Sequence, residues 1–545
     1  MKYMYPVKVI ATQGNVENVE GLLQEKSLQI GLNEPNICVM KGKAYVILDF
    51  GKELSGGARI LTRYAEGNRT VRLRFGESVG ETCAELKNGE AGYGATNDHS
   101  LRDFSLPLVH YSDMTFGQTG FRFLRIDTLG DDSNIALKSI LAAVDTDTRP
   151  EIGSFECDDP LVNEIWTTAA YTLRLCLQNG YLWDGVKRDR LVWIGDLYPE
   201  VRAANCLFGD IPETLNCLKF SMEQSPLPKP INNMPTYSLW WLINLREAYH
   251  VSGDKKAIVE YLPYAKGILE QIISPNVSEE GRVCYTFNYI DWPSCAQEGE
   301  DKHEMRENER FAGVAYLTKV AVLALKELLV AFGEDVTLCD NVLGRIAKKS
   351  YDIHIYKQIA ALGVWAGVGD ENMKETLLRG GAQGLSTFQS YPILTAVASY
   401  GEYEAALSMM KEYYGGMLSV GATTFWEDFD LDWLDNCTRL DEMPVEGKKD
   451  IHGDYGKFCY MSFRHSFCHA WSAGVVPYLV ETVAGIKTEG AGMRRIVIRP
   501  QLSGLKHVKV NFPTAYGVVA VEHTLQENGE VKTIVNAPEG IEVVY

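Results

Sequence analysis

The chain has 545 residues and a mass of 60.9 kDa, too long for one small module at roughly 150 residues per domain. Hydrophobic residues make up 46% and charged residues 23%, an ordinary globular composition that excludes disorder as the main state. Lys and Arg number 53 against 72 Asp and Glu, a formal net charge of −19 with no block of like charge, which argues against a phosphate-tracking surface and a nucleic-acid partner.

No uninterrupted apolar run reaches the roughly 18 residues a membrane-spanning helix needs. The amino terminus, with Pro6 and only a short apolar run, lacks the apolar centre of a secretory signal and reads as a cytoplasmic start. Twelve cysteines are scattered with no CxxC pair, so free buried thiols are expected over a disulfide frame or a zinc site.

In chain order, residues 1–152 read as strands. VRLRF (Val71 to Phe75) alternates apolar and basic residues, FRFLRIDTL (Phe121 to Leu129) nearly does so, and Asn88-Gly89 signals a tight turn. A β-sandwich is the natural guess. From residue 153 to 488 apolar residues recur every three or four positions, as in DPLVNEIWTTAAYTLRLCLQN, SLWWLINLREAYHVSGD, KAIVEYLPYAKGILEQI and ERFAGVAYLTKVAVLALKELLVAFGED, the pattern of helical hairpins. Over residues 489–545 alternation returns in IVIRP, HVKVNF and VVAVEHTLQENGEVKTIVN, where Asn528-Gly529 turns a hairpin. No fixed repeat marks a solenoid, so the hairpins are expected to close into a toroid. Loops at one end would then surround a cavity suited to a glycoside or oligosaccharide.

The densest polar segment, Tyr181 to Glu200, places Asp184, Arg188, Asp189, Arg190, Trp193 and Asp196 in one loop between helical runs. Three carboxylates so close raise the pKa of at least one unless the arginines offset them, and a protonated carboxyl is what a glycosidic oxygen needs from a general acid. A solvated ion-pair loop would carry the same residues. A second cluster, Gly421 to Asp435, sets Glu427, Asp428, Asp430 and Asp432 beside Trp426 and Trp433. Paired carboxylates about 6.5 to 9.5 Å apart leave room for a water and imply inversion; such a loop also suits calcium or plain solvent. Asp291 and Trp292, next to Pro293, read as a third lip of the same cavity. His465 and His469 sit where a last helix begins, available to a sugar hydroxyl or to the core. LRGGAQG lacks the Lys-Ser/Thr of a phosphate loop and HEMRE lacks the second His of a zinc helix.

DGVKRDRLVWIGD (Asp184 to Asp196) resembles the signature loop of the α-L-rhamnosidases of glycoside hydrolase family 78, D-C-P-x-R-E-x-x-x-W-x-G-D, and GLSTFQSYPIL, YGGMLSVGATTFWEDFD and HSFCHAWSAG resemble later segments in the same order. The resemblance implies an (α/α)6 toroid flanked by an N-terminal β-sandwich and a small C-terminal β domain, hydrolysing terminal α-L-rhamnosides with inversion and with neither metal nor organic cofactor. The family's acid falls on Asp189 and its base on Glu427. Asp184 and Asp196 would hold rhamnose hydroxyls and Trp193 would pack the apolar face. Arg188, Asp291, Trp292, Trp426 and His469 are further substrate-binding candidates. Cys-Pro is replaced by Gly185-Val186, expected to loosen the loop, and the usual Glu acid is Asp189, one methylene shorter. A hydrolase of another sugar, or a carbohydrate-binding relic, would keep the same cavity.

Overall fold

The computed structural model describes residues 2–86, 99–291, 303–351, 355–456 and 462–545, with the backbone alone for 303–308. The expected turn at Asn88-Gly89, and Trp292, lie outside the described residues.

The N-terminal region is one seven-stranded sheet. Its strands are β1 (Lys2–Met4), β2 (Lys8–Glu17), β3 (Cys38–Glu66), β4 (Thr70–Gly76), β5 (Asp103–Pro107), β6 (Ser112–Thr128) and β7 (Asn134–Val144), in the order β1-β7-β3-β6-β4-β5 with β2 on β3. β3 bends at Gly56, whose φ of 152° and 2.0 Å approach of a would-be Cβ to the Ala143 carbonyl admit no side chain. Both ends of β3 pair with the same stretch of β7, Met40 and Ala65 each facing Ile135. The two layers expected from sequence are therefore one sheet folded over, around a core of Phe50, Phe75 and Phe121 in edge-to-face contact. In β4, Val71, Leu73 and Phe75 point inward, and Arg72 pairs with Asp103 at 2.6 Å.

The helical region starts at Pro160–Cys176, with Pro at its first turn and Asp159 accepting from Leu161 N and Val162 N. Helices Leu197–Phe208, Pro235–Ser252, His303–Phe332, Lys357–Trp365, Ser390–Ser399 and Val475–Tyr478 each pack on the next, and the last returns to the first. Helices Pro160–Cys176, Pro212–Gln224, Thr337–Ile346, Glu371–Leu378 and Tyr403–Ser419 lie against this ring. KAIVEYLPYAKGILEQI is broken into short helical, 3-10 and π turns, because Pro263 supplies no backbone N–H.

Two small sheets close the chain: Ile486–Glu489, Arg495–Ile498 and Glu542–Val544 in one, and Val531–Asn536, Gly517–Leu525, His507–Thr514 and Ser154–Cys157 in the other. Ser154–Cys157, read from sequence as the head of the helical domain, is thus an edge strand of the C-terminal sheet, with Val510 opposite Phe155. Among the described residues no helix is long and apolar enough to cross a membrane, and the ten described cysteines are free thiols.

Candidate active site

A cavity of about 180 Å³, the scale of one sugar ring, opens at one end of the helical ring and is lined by Asp184, Arg188, Asp189, Trp193, Asp196, Met234, Tyr237, Glu427, Arg464, His469 and Trp471. The loop that supplies the first five is tied at both ends. Asp184 N donates to Leu191 O, and Leu191 N donates back to Asp184 Oδ1 at 2.8 Å. Within it Arg190 N donates to Arg188 O at 2.7 Å, closing a three-residue turn on Asp189. Asp189 and Arg190 both take left-handed backbone, φ 54° and 53°, strain of a kind found at functional sites. Gly185-Val186 does not loosen the loop. Gly185 bridges to His469, Val186 is fully buried and its carbonyl accepts from Gly120 N of β6 at 2.8 Å.

Glu427 arrives from the segment after helix Tyr403–Ser419 and is fixed along its whole length. Its N–H donates to Ser466 O, its carbonyl accepts from Thr387 Oγ1 and Trp471 Nε1, and its Oε2 accepts from Ser466 N at 3.3 Å. Both carboxylate oxygens accept from one terminal nitrogen of Arg188. The other terminal nitrogen lies 3.3 Å from Asp189 Oδ2. One guanidinium thus stands between the two carboxylates, which are 238 residues apart in sequence. His469 Nε2 lies 3.7 Å from Glu427, 3.8 Å from Asp196 and 4.0 Å from Asp184. Tyr237 donates to Asp196 Oδ1 at 2.8 Å, and Trp193 stands edge-on to Tyr237 as the half-exposed aromatic wall.

Burial sets the electrostatics. It pushes the carboxyls of Asp184 and Asp196 well above the usual range, with neighbouring acids adding to the effect. Glu427 is also raised by burial, against the opposing pull of Arg188. Burial, with Arg188 next, holds the His469 imidazole well below its ordinary value, so it is neutral and free to donate or accept one hydrogen bond. Asp189 is the most exposed of the four acids, its side chain 15% accessible against 3 to 5% for the others.

Two of the residues expected at the cavity are placed elsewhere. Trp426 is fully buried, stacked on Phe467 at 4.0 Å, because its flat face completes the core behind Glu427. Asp291 is buried outside the lining, where Ser386 donates to it and where its charge raises the buried Asp428. Met234, Tyr237, Arg464 and Trp471 line the cavity without having been singled out from sequence. Arg464 and Trp471 flank the two histidines in FRHSFCHAW, and that adjacency was the available signal. A larger cavity of about 660 Å³ is lined by Tyr198, Arg202, Arg246, Trp365, Tyr391 and Glu481 among others. There Arg202 pairs with Glu247 and Glu481, and Glu489 with Arg495, so each of these acids is ion-paired. Among the described residues one group, Glu77, Glu81 and His452, has the closeness of metal ligands, but the Lys187 ammonium lies against all three.

Residues 150–335 match the bacterial alpha-L-rhamnosidase 6 hairpin glycosidase domain, and residues 485–544 match the bacterial alpha-L-rhamnosidase C-terminal domain. No curated protein matches the chain. Among solved structures it is similar to the GH78 family rhamnosidase of Bacillus sp. GL1, with TM-score 0.75 and 21% identity over 96% of this chain and 55% of that one. It is similar to the rhamnosidase from Klebsiella oxytoca with rhamnose bound, with TM-score 0.67 and 18% identity over 88% and 95% of the two chains. The Streptomyces avermitilis α-L-rhamnosidase complexed with L-rhamnose gives TM-score 0.67 and 15% identity over 100% and 49%. The chain therefore spans just over half the length of the Bacillus enzyme. Two of its segments thus match domain models of bacterial α-L-rhamnosidases, and its fold is similar to that of solved rhamnosidases.

Proposed function

We propose that the chain is an inverting glycoside hydrolase that removes terminal α-L-rhamnose, with Glu427 as general base and Asp189 as general acid. The single observation that carries the reading is Arg188, which holds Glu427 on one nitrogen and faces Asp189 with the other, inside a cavity the size of one sugar ring. Burial raises the Glu427 carboxyl, and the ion pair with Arg188 pulls it back toward the ionised form that a base needs. Glu427 takes a proton from a water below the anomeric carbon, and the water oxygen forms the new bond there. Asp189, at the more open side of the cavity, donates its proton to the departing glycosidic oxygen as that bond breaks. Solvent reaches Asp189 for reprotonation after the aglycone leaves.

Asp184 and Asp196, whose carboxyls burial raises, and neutral His469 present hydrogen-bonding groups to ring hydroxyls. Trp193 covers the apolar face of the sugar. We take the ring of helices to be the (α/α)6 toroid, with a division near 1–152, 153–488 and 489–545 in which Ser154–Cys157 is lent to the last domain.

Release of p-nitrophenol from a panel of aryl glycosides tests the sugar. The α-L-rhamnoside is expected to be cleaved fastest, and cleavage of another glycoside alone would reassign the substrate. Absence of turnover on the whole panel, with rhamnose still bound, would favour a binding relic. Proton NMR of the first anomer formed tests inversion: a product retaining the substrate's configuration excludes the base role of Glu427.

A further inference from the structure

The cavity acids stand on a second buried cluster, which does not face the cavity. Lys187, the residue before Arg188, has a fully buried side chain whose Nζ donates to His465 O at 2.9 Å and lies 3.0 Å from Glu81, 3.3 Å from Glu77 and 3.2 Å from His452 Nε2. The two glutamates come from the end of β4 and the short helix Val79–Cys83, more than 100 residues before the loop. The ammonium stands where the carboxylates and the imidazole would otherwise gather a cation. Glu77 is a junction. One oxygen faces Lys187 and accepts from Phe467 N at 2.6 Å, and the other accepts from Ser466 Oγ at 3.4 Å. Ser466 in turn brackets Glu427 with its N–H and its carbonyl, and His465 Nε2 accepts from Asp428 N. His452 is fastened to the same helix, its Nδ1 lying 2.8 Å from Ser78 Oγ. Around this cluster the Lys187 carbonyl accepts from Thr119 of β6, and the Arg102 Nε lies 3.6 Å from Glu81.

We infer that Lys187 is a positioning residue of the active site: its ammonium, caged by Glu77 and Glu81 of the N-terminal sheet domain, fixes Arg188 and the Ser466 segment, and through them Asp189 and Glu427. The N-terminal domain is then a wall of the catalytic scaffold. The energetics favour this cage, because a buried cation is stable only when acids and acceptors meet each of its donors. Removing the ammonium leaves Glu77 and Glu81 facing each other with Arg102 as the nearest remaining cation. Glu77, which burial pushes up to about 7 with Lys187 opposing, then takes a proton and loosens its hold on Ser466 and Phe467. A shift of about 1 Å in a catalytic group costs on the order of 100-fold in rate.

The inference rests on the proposed roles of Asp189 and Glu427 for its kinetic part only. Two variants test it, K187M, which removes the charge, and the isosteric E77Q, which keeps the volume should K187M fail to fold. With p-nitrophenyl α-L-rhamnoside, kcat is expected to fall about 100-fold in K187M and about tenfold in E77Q, with KM changed less than threefold. In both, the acid limb of the kcat/KM profile should move to higher pH, because Glu427 loses a fixed Arg188; a packing defect alone would lower the folded fraction and leave that limb in place. Crystal structures of the variants should show the Arg188 to Glu427 pair broken, a readout that needs no substrate and stands even if the wild type cleaves no glycoside. Wild-type kinetics and pH profile in folded E77Q, or an unchanged Arg188 to Glu427 pair in crystals of either variant, would overturn the assignment.

Discussion

The cavity lined by Asp184, Asp189, Asp196 and Glu427 and the larger one lined by Arg202, Arg246 and Glu481 are both built from buried acids and aromatic rings, but they neutralise those acids differently. Beside the large cavity, Arg202 and Arg246 reach Glu247 at 2.7 and 2.9 Å. Burial raises the Glu247 carboxyl, yet the two arginines outweigh it and bring the group down to about 2. Glu247 is held as an anion, and the network works as a brace. In the small cavity Arg188 pairs with Glu427 and faces Asp189, with the Arg464 guanidinium also lowering Glu427, while Asp184 accepts from a backbone N–H, Asp196 from a tyrosine hydroxyl, and both lie near the neutral His469. Burial raises the carboxyls of Asp184 and Asp196, the kind of perturbation found at sites of proton transfer. Charge balance, and not volume, separates the proposed reactive end of the ring from the braced one.

The strongest way to break this comparison is at the two proposed proton-transfer groups. E427Q and D189N should each cut turnover of the aryl rhamnoside by about 10²- to 10⁴-fold, with melting temperatures close to wild type, as read by p-nitrophenol release and thermal scanning. Full activity in both would leave the small cavity without a chemical role. Arg188 sharpens the contrast next. Since its charge lowers the Glu427 pKa, R188M should raise it further, and the acid limb of kcat/KM should move to higher pH. A pH-rate profile checks this, and an unmoved limb would mean that Glu427 is not the titrating base.

The large cavity gives the opposite test. R202M removes the arginine from Glu481 and one of the two from Glu247, leaving their charge only partly compensated, which costs up to about 3 kcal/mol of stability. Denaturant melts should register that loss, whereas kcat and KM of the folded fraction should stay within about twofold of wild type. A comparable fall in kcat would show that the two ends are coupled.

How much of this was open to sequence reading follows from chain distance. The Tyr181 to Glu200 loop holds five of the lining residues within one short stretch, and hydrophobic periodicity located the helices around it. Glu427 needed the resemblance, because no pattern of spacing connects it to Asp189 across 238 residues. Trp426 misled: a tryptophan beside an acid reads as a sugar platform, but here Glu427 lines the cavity while Trp426 packs on Phe467 in the core. Tyr237 was hidden at the start of a helix whose composition says only that it is buried. The support beneath the loop was the least legible. Glu77 meets Phe467 across 390 positions, and a glutamate ending a strand carries no mark of the partner that the fold brings to it. The pairing of Ser154–Cys157 with the C-terminal sheet was hidden for the same reason, the strand being too short to announce which sheet it joins.

The smallest predicted effect is the most direct measure of the charge shortage. Burial raises the Asp184 carboxyl above its unfolded value of about 3.9. Its contribution to stability is therefore complete below about pH 4 and declines as pH rises through the folded-state pKa, because the unfolded chain releases the proton first. At neutral pH the wild type bears this loss, and an uncharged amide does not. D184N keeps an oxygen for the Leu191 N–H, so its melting temperature should match wild type near pH 4 and exceed it by a few degrees near pH 7, while rhamnose affinity falls because the carboxyl no longer meets the sugar. E247Q, at the braced cavity, should do the reverse: its carboxylate is stabilised by two arginines, so the variant should lose stability at neutral pH and differ less as pH falls toward about 2. Opposite slopes of the melting-temperature difference against pH are what the contrast requires, and parallel slopes would remove it.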